Sequence, residues 1–149
     1  GRQEQVLVGG VDELLEPLSF TKKFLGVCDG RKLGEGSNWL LLNSRIEGAL
    51  AYLDVVREAM SLSEIKAYLS AAEEKTKVAF GLRFSEPLVR EIMDESALER
   101  FRYEEGCGFY ETAALYTLIR FIEEGEGEML FIERFDDTFR VIRVGRLGA

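Results

Sequence analysis

The chain has 149 residues, of which 46% are hydrophobic and 31% are charged, and its formal net charge is −8. This composition is typical of a globular domain, and the acidic charge argues against non-specific binding to nucleic acid or to an anionic membrane. The chain contains no histidine, which excludes Ser-His-Asp and Cys-His catalysis, histidine metal sites and histidine-based pH switches.

The first forty residues predict two strands separated by a helix and a long loop. The apolar run at residues 6–8 is followed by two glycines and predicts a strand. Asp12 can cap a following helix that stops near Gly26. Residues 26–38 contain four glycines, which predicts the longest irregular loop of the chain. The apolar run at residues 39–42 predicts the second strand.

Two capping boxes predict consecutive helices in the next part of the chain. In residues 44–47, and again in residues 61–64, a serine is followed three positions later by a glutamate. Each side chain of such a pair can satisfy a free backbone N–H of the first helical turn. Apolar residues follow the first box at the helical period, which predicts an amphipathic helix over 46–60. The second box predicts another helix directly after it.

The next segment predicts one strand and two short helices. Residues 77–84 alternate between apolar side chains and small or basic ones, which is the pattern of a strand. Ser85 and Ser96 each predict the start of a short helix, and residues 103–108 predict a loop. Residues 109–124 are apolar over most of a helical circumference, so a central and largely buried helix is expected there.

The end of the chain predicts a β-hairpin. Two apolar strands, 129–135 and 139–144, flank the turn-forming residues 136–138. Strands and helices do not alternate strictly along the chain, and a hairpin closes it. We therefore expect a single α+β domain over residues 1–149, with a mostly antiparallel sheet of about five strands and helices packed on one face.

Cysteine use and apolar-segment length bear on the compartment. The two cysteines, Cys28 and Cys107, have no metal-binding or redox spacing and are too few for a disulfide scaffold. No apolar stretch is long enough for a membrane span, and the first residues lack the pattern of a signal peptide. We expect a cytoplasmic protein with no metal and no cofactor, since the acidic pairs lack the spacing of a calcium loop.

The C-terminal hairpin carries apolar side chains on both of its faces, which predicts that both faces are covered. One hypothesis is that a partner subunit covers one of them. Its contact surface would consist of four aliphatic side chains: Leu130, Ile132, Ile142 and Val144. A helix of the same chain could provide this cover instead.

A second hypothesis places a small anionic ligand beside the sheet. Ala79 and Gly81 leave room on one side of their strand, and Arg83, with Arg134 or Arg143, could hold an anion. The pocket would lie between the sheet and the loops 26–38 and 103–108. Alternatively, these arginines pair with the abundant carboxylates of the protein itself.

Of these alternatives, the sequence favours a protein that acts through association, as a homo-oligomer or as a subunit of a larger assembly, rather than through catalysis. The runner-up is a small-molecule binding domain, or a histidine-free enzyme, with arginine as the anion anchor. No nucleic-acid or membrane partner is expected.

Overall fold

The computed structural model describes residues 5–13, 23, 33–108 and 112–147. Within them the chain forms an α+β fold. Its strands are β1 Gln5–Asp12, β2 Gly36–Asn43, β3 Ala51–Met60, β4 Lys77–Phe80, β5 Glu99–Arg100, β6 Glu128–Phe135 and β7 Thr138–Arg146. The described helices are α1 Leu62–Ser70, α2 Glu86–Met93, α3 Glu104–Cys107 and α4 Ala113–Glu124.

Five of the strands form one mixed sheet in the order β3-β7-β6-β4-β5. β7 is antiparallel to both β3 and β6, whereas β4 is parallel to both β6 and β5. The α+β class, the five strands and the C-terminal hairpin are therefore confirmed, and the sheet is mixed rather than purely antiparallel. β1 and β2 form a separate two-stranded antiparallel ribbon.

Hydrophobic clusters cover both faces of the five-stranded sheet, because side chains of β6 alternate between them. Leu130 and Ile132 pack into a cluster with residues of α1 and α2. Met129 and Phe131 pack on the opposite face with residues of α4. Helices thus lie against both faces, not one, and each face of the hairpin receives the cover that its apolar side chains require.

The capping signals predict helix α1 correctly. The hydroxyl of Ser61 accepts a hydrogen bond from the backbone of Glu64, and the Glu64 carboxylate accepts one from the Ser61 backbone at 2.8 Å. Ser85 caps α2 in the same manner by accepting from the Leu88 backbone, with a proline in the first turn. The strands predicted at 6–8 and 39–42 are present as parts of longer strands.

The helix predicted over 46–60 is wrong, because residues 51–60 form strand β3. The short helix predicted after Ser96 is also wrong, because the chain enters strand β5 there. Residues 103–108 contain the single-turn helix α3 rather than an open loop. Most of the helix predicted after Asp12, and loop residues 26–32 with Cys28, lie outside the described residues. The end of the predicted loop is wrong, because residues 36–38 begin strand β2.

Candidate functional site

The two faces of the ribbon have different surroundings. Leu7 lies opposite Leu41 and Gly9 opposite Trp39 in the antiparallel register, so these pairs share one face. That face is open to solvent, with Leu7 exposed at 62%, Leu41 at 63% and Trp39 at 51%. Val11 continues the same apolar row and is also exposed.

A glycine allows Trp39 to lie flat across the ribbon. A Cβ atom on Gly9 would lie 2.3 Å from the indole ring of Trp39, which is closer than any real contact. The indole N–H donates a hydrogen bond to the Ser37 hydroxyl at 2.9 Å. An exposed aromatic side chain is therefore held in a fixed place on the outer face.

The other face of the ribbon is attached to the start of α4. Gly10 lies against Thr112, since a Cβ on this glycine would be 2.5 Å from the Thr112 methyl group. Asp12 accepts a hydrogen bond from the Thr112 backbone at 2.9 Å and a further short one from the Thr112 hydroxyl. Asn38, on the neighbouring strand, is buried.

Away from this attachment, the ribbon overhangs an apolar groove of about 850 Å³. The groove runs between β2, the connection to β3, the first residues of β3 and the outer side of α4. Its aliphatic lining residues include Leu40, Leu42, Ile46, Leu50, Leu53, Ile119, Ile122 and Leu147. Its volume is within the range of ligand and peptide clefts.

Exposed large apolar side chains are concentrated on the ribbon and along this groove. Of the eleven that the described residues expose, ten lie between residues 6 and 53, and the remaining one is Phe135. We call these ten the apolar patch: Val6, Leu7, Val8, Val11, Trp39, Leu41, Leu42, Ile46, Leu50 and Leu53. The sequence reasoning missed this patch, although both apolar runs that form the ribbon lack the polar alternation of a half-buried strand.

The four side chains predicted as a partner surface lie within the hydrophobic clusters of the chain itself. Leu130, Ile132 and Val144 are almost completely buried, and Ile142 is partly buried against its neighbours. In addition, Leu130 and Ile132 are on one face of the sheet, and Ile142 and Val144 are on the other. This correction follows from the strand order, which brings the chain's own helices over both faces.

Two of the three predicted anion-binding arginines line one small cleft. Arg83 and Arg134 surround a space of about 90 Å³ together with Gly81, the first residues of α4 and Glu133. The Arg134 guanidinium also donates to the Asp136 carbonyl at 2.8 Å. The cleft lies where strand β4 ends, and residues 103–108 do not line it.

Arg143 lies apart from the other two arginines. It is opposite Leu130, four residues along β6 from Arg134, which corresponds to about 13 Å at the rise of a strand. Its guanidinium donates to the Asp54 carboxylate at 3.1 Å, and this hydrogen bond raises the pKa of Arg143. Of the two pairs expected from the sequence, Arg83 with Arg134 meets at one cleft, whereas Arg143 pairs with a carboxylate of the chain.

The segment 103–108 is fixed by an ion-pair network. Arg100 donates to both carboxylate oxygens of Glu86, at 3.0 and 3.1 Å, and to Glu104 at 2.6 Å. These contacts join α2, β5 and α3. The Cys107 thiol donates to backbone carbonyl groups of Tyr103 and Gly108, so its proton is held by the surrounding main chain.

Neither metal clusters nor membrane-spanning helices are found in the described part of the chain. No three side chains of the metal-binding types come together there. Each helix in these ranges is too short or too polar to cross a bilayer.

Comparisons with known proteins give a likeness of fold. No family model matches the sequence, and no curated protein matches it significantly. One similar solved chain belongs to a complex of a type II polyketide synthase acyl-carrier protein with its ketosynthase bound to the hexaketide. It has 13% identity and a TM-score of 0.57, and the match covers 97% of this chain and 52% of that one.

A second similar structure is 3-oxoacyl-(acyl carrier protein) synthase III from Pseudomonas aeruginosa. It has 11% identity and a TM-score of 0.53, with 98% of this chain and 59% of that chain covered. Both likenesses concern the fold alone. The chain spans little more than half the length of either neighbour.

Proposed function

We propose that this protein works as a self-associating subunit, with the apolar patch as its contact surface. The observation that supports this proposal best is the distribution of exposed apolar side chains. Scattered exposure is normal for a soluble domain, but many exposed apolar side chains concentrated in one part of the chain beside a groove are typical of an interaction surface. Ten of the eleven exposed large apolar side chains in the described ranges belong to it.

The partner that we propose is a second copy of the chain, because a two-fold axis brings the same patch of both copies together and no other protein is then needed to cover it. One of the two neighbours is itself part of a protein complex. The cytoplasmic setting expected from the cysteines is part of this proposal, which assigns no catalytic residue.

The single tryptophan provides a direct test. Trp39 is the only tryptophan of the chain, and its indole lies on the exposed patch. We expect its fluorescence emission to shift to shorter wavelength as protein concentration rises, because association removes the indole from water. Sedimentation equilibrium of the same samples should show a mass of two chains at concentrations of tens of micromolar.

Two substitutions give a matched comparison. Leu41→Asp places a carboxylate on the outer face of the ribbon and should abolish both the dimer mass and the emission shift. Phe135→Asp makes the same type of change at the exposed apolar residue outside the patch and should leave both unchanged. A monomeric parent protein at all concentrations, or equal effects of the two substitutions, would contradict the proposal.

A small-anion site is the second candidate, favoured by the meeting of Arg83 and Arg134 at one cleft. The first turn of α4 also borders this cleft, and a helix N-terminus adds favourable potential for an anion. The Glu133 carboxylate lines the same cleft and repels an anion. The attraction of the two arginines must therefore exceed this repulsion for an anion to bind.

Inorganic phosphate and pyrophosphate are suitable probes for this cleft. Either anion should raise the thermal unfolding midpoint of the parent protein, and Arg83→Ala should remove that increase. Arg143→Ala removes an equal charge at a position about 13 Å from Arg134 along the sheet. This variant should retain the increase in the unfolding midpoint. If neither anion raises the midpoint, or if both variants respond alike, the cleft is not an anion site.

A further inference from the structure

Strand β3 forms an open edge of the five-stranded sheet. In the ranges that the structure describes, β3 is hydrogen-bonded to β7 alone, and Leu53 and Asp54 are exposed. The outer side of this strand therefore presents backbone N–H and C=O groups without a strand partner among these residues. Such an edge is a template for another strand unless the protein protects it.

Protection is present in only one half of β3. Between Val55 and Met60 the register with β7 shifts twice, and Ala59 has a left-handed φ of 53°. The exposed side chains of Arg57 and Glu58 add charge to this half. Bulges and edge charges are the usual means by which proteins prevent strand addition.

The other half, residues 51–55, has no bulge and a single charged side chain. Its five residues pair with β7 in unbroken register from Ala51 to Val55, and the segment contains no proline, lysine or arginine. Its one charge, Asp54, is already paired with Arg143 on the neighbouring strand. This half is also continuous with the apolar patch, since Leu53 lines the groove.

We propose that residues 51–55 of β3 pair antiparallel with the same residues of a second copy, joining two five-stranded sheets into one ten-stranded sheet. This inference rests on the proposed function, because it states which edge the self-associating copies use. The symmetry is a two-fold axis, which brings the same surface of both copies together.

The charges of β3 select a register centred on Leu53. With the two-fold axis there, Leu53 lies opposite the Leu53 of the second copy, and each Asp54 lies opposite a Tyr52. An axis at Asp54 would place two carboxylates directly opposite each other, which is destabilising. An axis at Tyr52 would place each carboxylate opposite Leu50, where it would lose water without gaining a partner.

Apolar contact must provide much of the stability of this dimer. Each copy carries a net charge of −8, so two copies repel each other at long range. Edge pairing alone buries little surface, whereas the adjoining Leu50, Leu53 and Ile46 are well exposed and would be covered by the second copy. Added salt should therefore strengthen the dimer, because it screens the repulsion and leaves the apolar contact in place.

Cysteine cross-linking tests the register. In a background with Cys28→Ser and Cys107→Ser, Leu53→Cys should give a disulfide-linked dimer on oxidation, because directly opposite Cβ atoms in a strand pair lie about 5 Å apart. Asp54→Cys is the matched control: this position is also exposed, but its counterpart is the Tyr52 of the second copy. It should give at most a tenth of the cross-linked product.

A second pair of variants tests the edge without cysteines. Leu53→Lys places a charge on the unprotected half of β3 and should weaken association at least tenfold. Glu58→Lys places the same side chain in the bulged half, where it also replaces a carboxylate that pairs with Arg140, and should leave association unchanged or slightly stronger. Circular dichroism of all variants establishes that they fold.

The outcomes separate this inference from the proposed function. If Leu41→Asp dissociates the dimer while Leu53→Cys gives no more cross-linked product than Asp54→Cys, the edge pairing is refuted and self-association through the patch stands. If Leu53→Lys and Glu58→Lys have equal effects, edge pairing is likewise refuted. A parent protein that is monomeric throughout overturns both.

Discussion

At the scale of single residues, two aromatic rings lie over glycines on neighbouring strands. Trp39 covers Gly9 in the ribbon, and Tyr52 covers Gly145 in the main sheet, where an added Cβ would lie 2.4 Å from the phenol ring. An aromatic ring across from a glycine replaces the packing that the glycine lacks. In β3 this arrangement directs the Tyr52 hydroxyl to Glu128, to which it donates a short hydrogen bond.

This hydrogen bond gives a prediction for alkaline pH. The bond to Glu128 raises the pKa of Tyr52 above its ordinary value of 10.0, because ionising the phenol would place two anions together. A raised pKa means that the folded state holds the proton more strongly than the unfolded chain. The stability contributed is complete below about pH 10 and is lost as the pH rises above it.

Tyr52→Phe should therefore be less stable than the parent at pH 8, by about 1 kcal/mol, the low end for such a bond because the site is partly exposed. The difference should narrow between pH 10 and 11.5. Urea midpoints measured across this range test the prediction. A difference that stays constant with pH would show that the hydroxyl contributes through packing instead.

At the scale of elements, two identical sequence signals led to different structures. The box at residues 61–64 starts helix α1, whereas residues after the box at 44–47 form strand β3. The segment that follows the box at 44–47 includes Tyr52, Val55 and Val56, residue types that favour strands. Its apolar residues fit a helical period, but pairing along the whole of β7 outweighs that local preference.

The capping box at residues 61–64 should make the stability of the protein depend on pH in acid. Hydrogen bonds from the Ser61 backbone and hydroxyl lower the pKa of Glu64 from 4.5. With a lowered pKa, the stabilisation is present above about pH 4.5 and is lost as the pH falls through the folded-state value. Glu64→Gln should then lose less stability than the parent between pH 5 and 3.

Ser61→Ala serves as the companion variant for this cap. It removes the hydroxyl that binds both the Glu64 backbone and the Glu64 carboxylate. It should be destabilised at neutral pH, and its acid slope should lie between those of the parent and Glu64→Gln. Parallel slopes for all three proteins would exclude a contribution of the Glu64 carboxylate to the cap.

At the scale of the whole molecule, the sequence indicated that both faces of the C-terminal hairpin must be covered, but not which elements cover them. Alternation in the hairpin indicated correctly that both faces are apolar. Only the strand order, which depends on contacts between distant residues, shows that α1 and α2 cover one face and α4 the other. The meeting of Arg83 and Arg134 follows from the same order, because β4 lies beside β6. The apolar patch could not be located from periodicity, since its strands form a separate ribbon.

Self-association has a thermodynamic consequence that the isolated fold does not have. When only the folded state associates, unfolding must also separate the subunits, so stability rises with protein concentration. Between 1 and 100 µM the gain is at most about 1.4 kcal/mol per chain, the value reached when the dimer is already formed at 1 µM, and it corresponds to an increase of up to about 4 °C in the unfolding midpoint for a domain of this size. The parent protein should show this increase in calorimetry or in Trp39 fluorescence. Leu41→Asp should unfold at one temperature throughout, and so should Leu53→Lys if the β3 edges pair. A parent midpoint that does not change over this hundredfold range would mean that the apolar patch remains in contact with water.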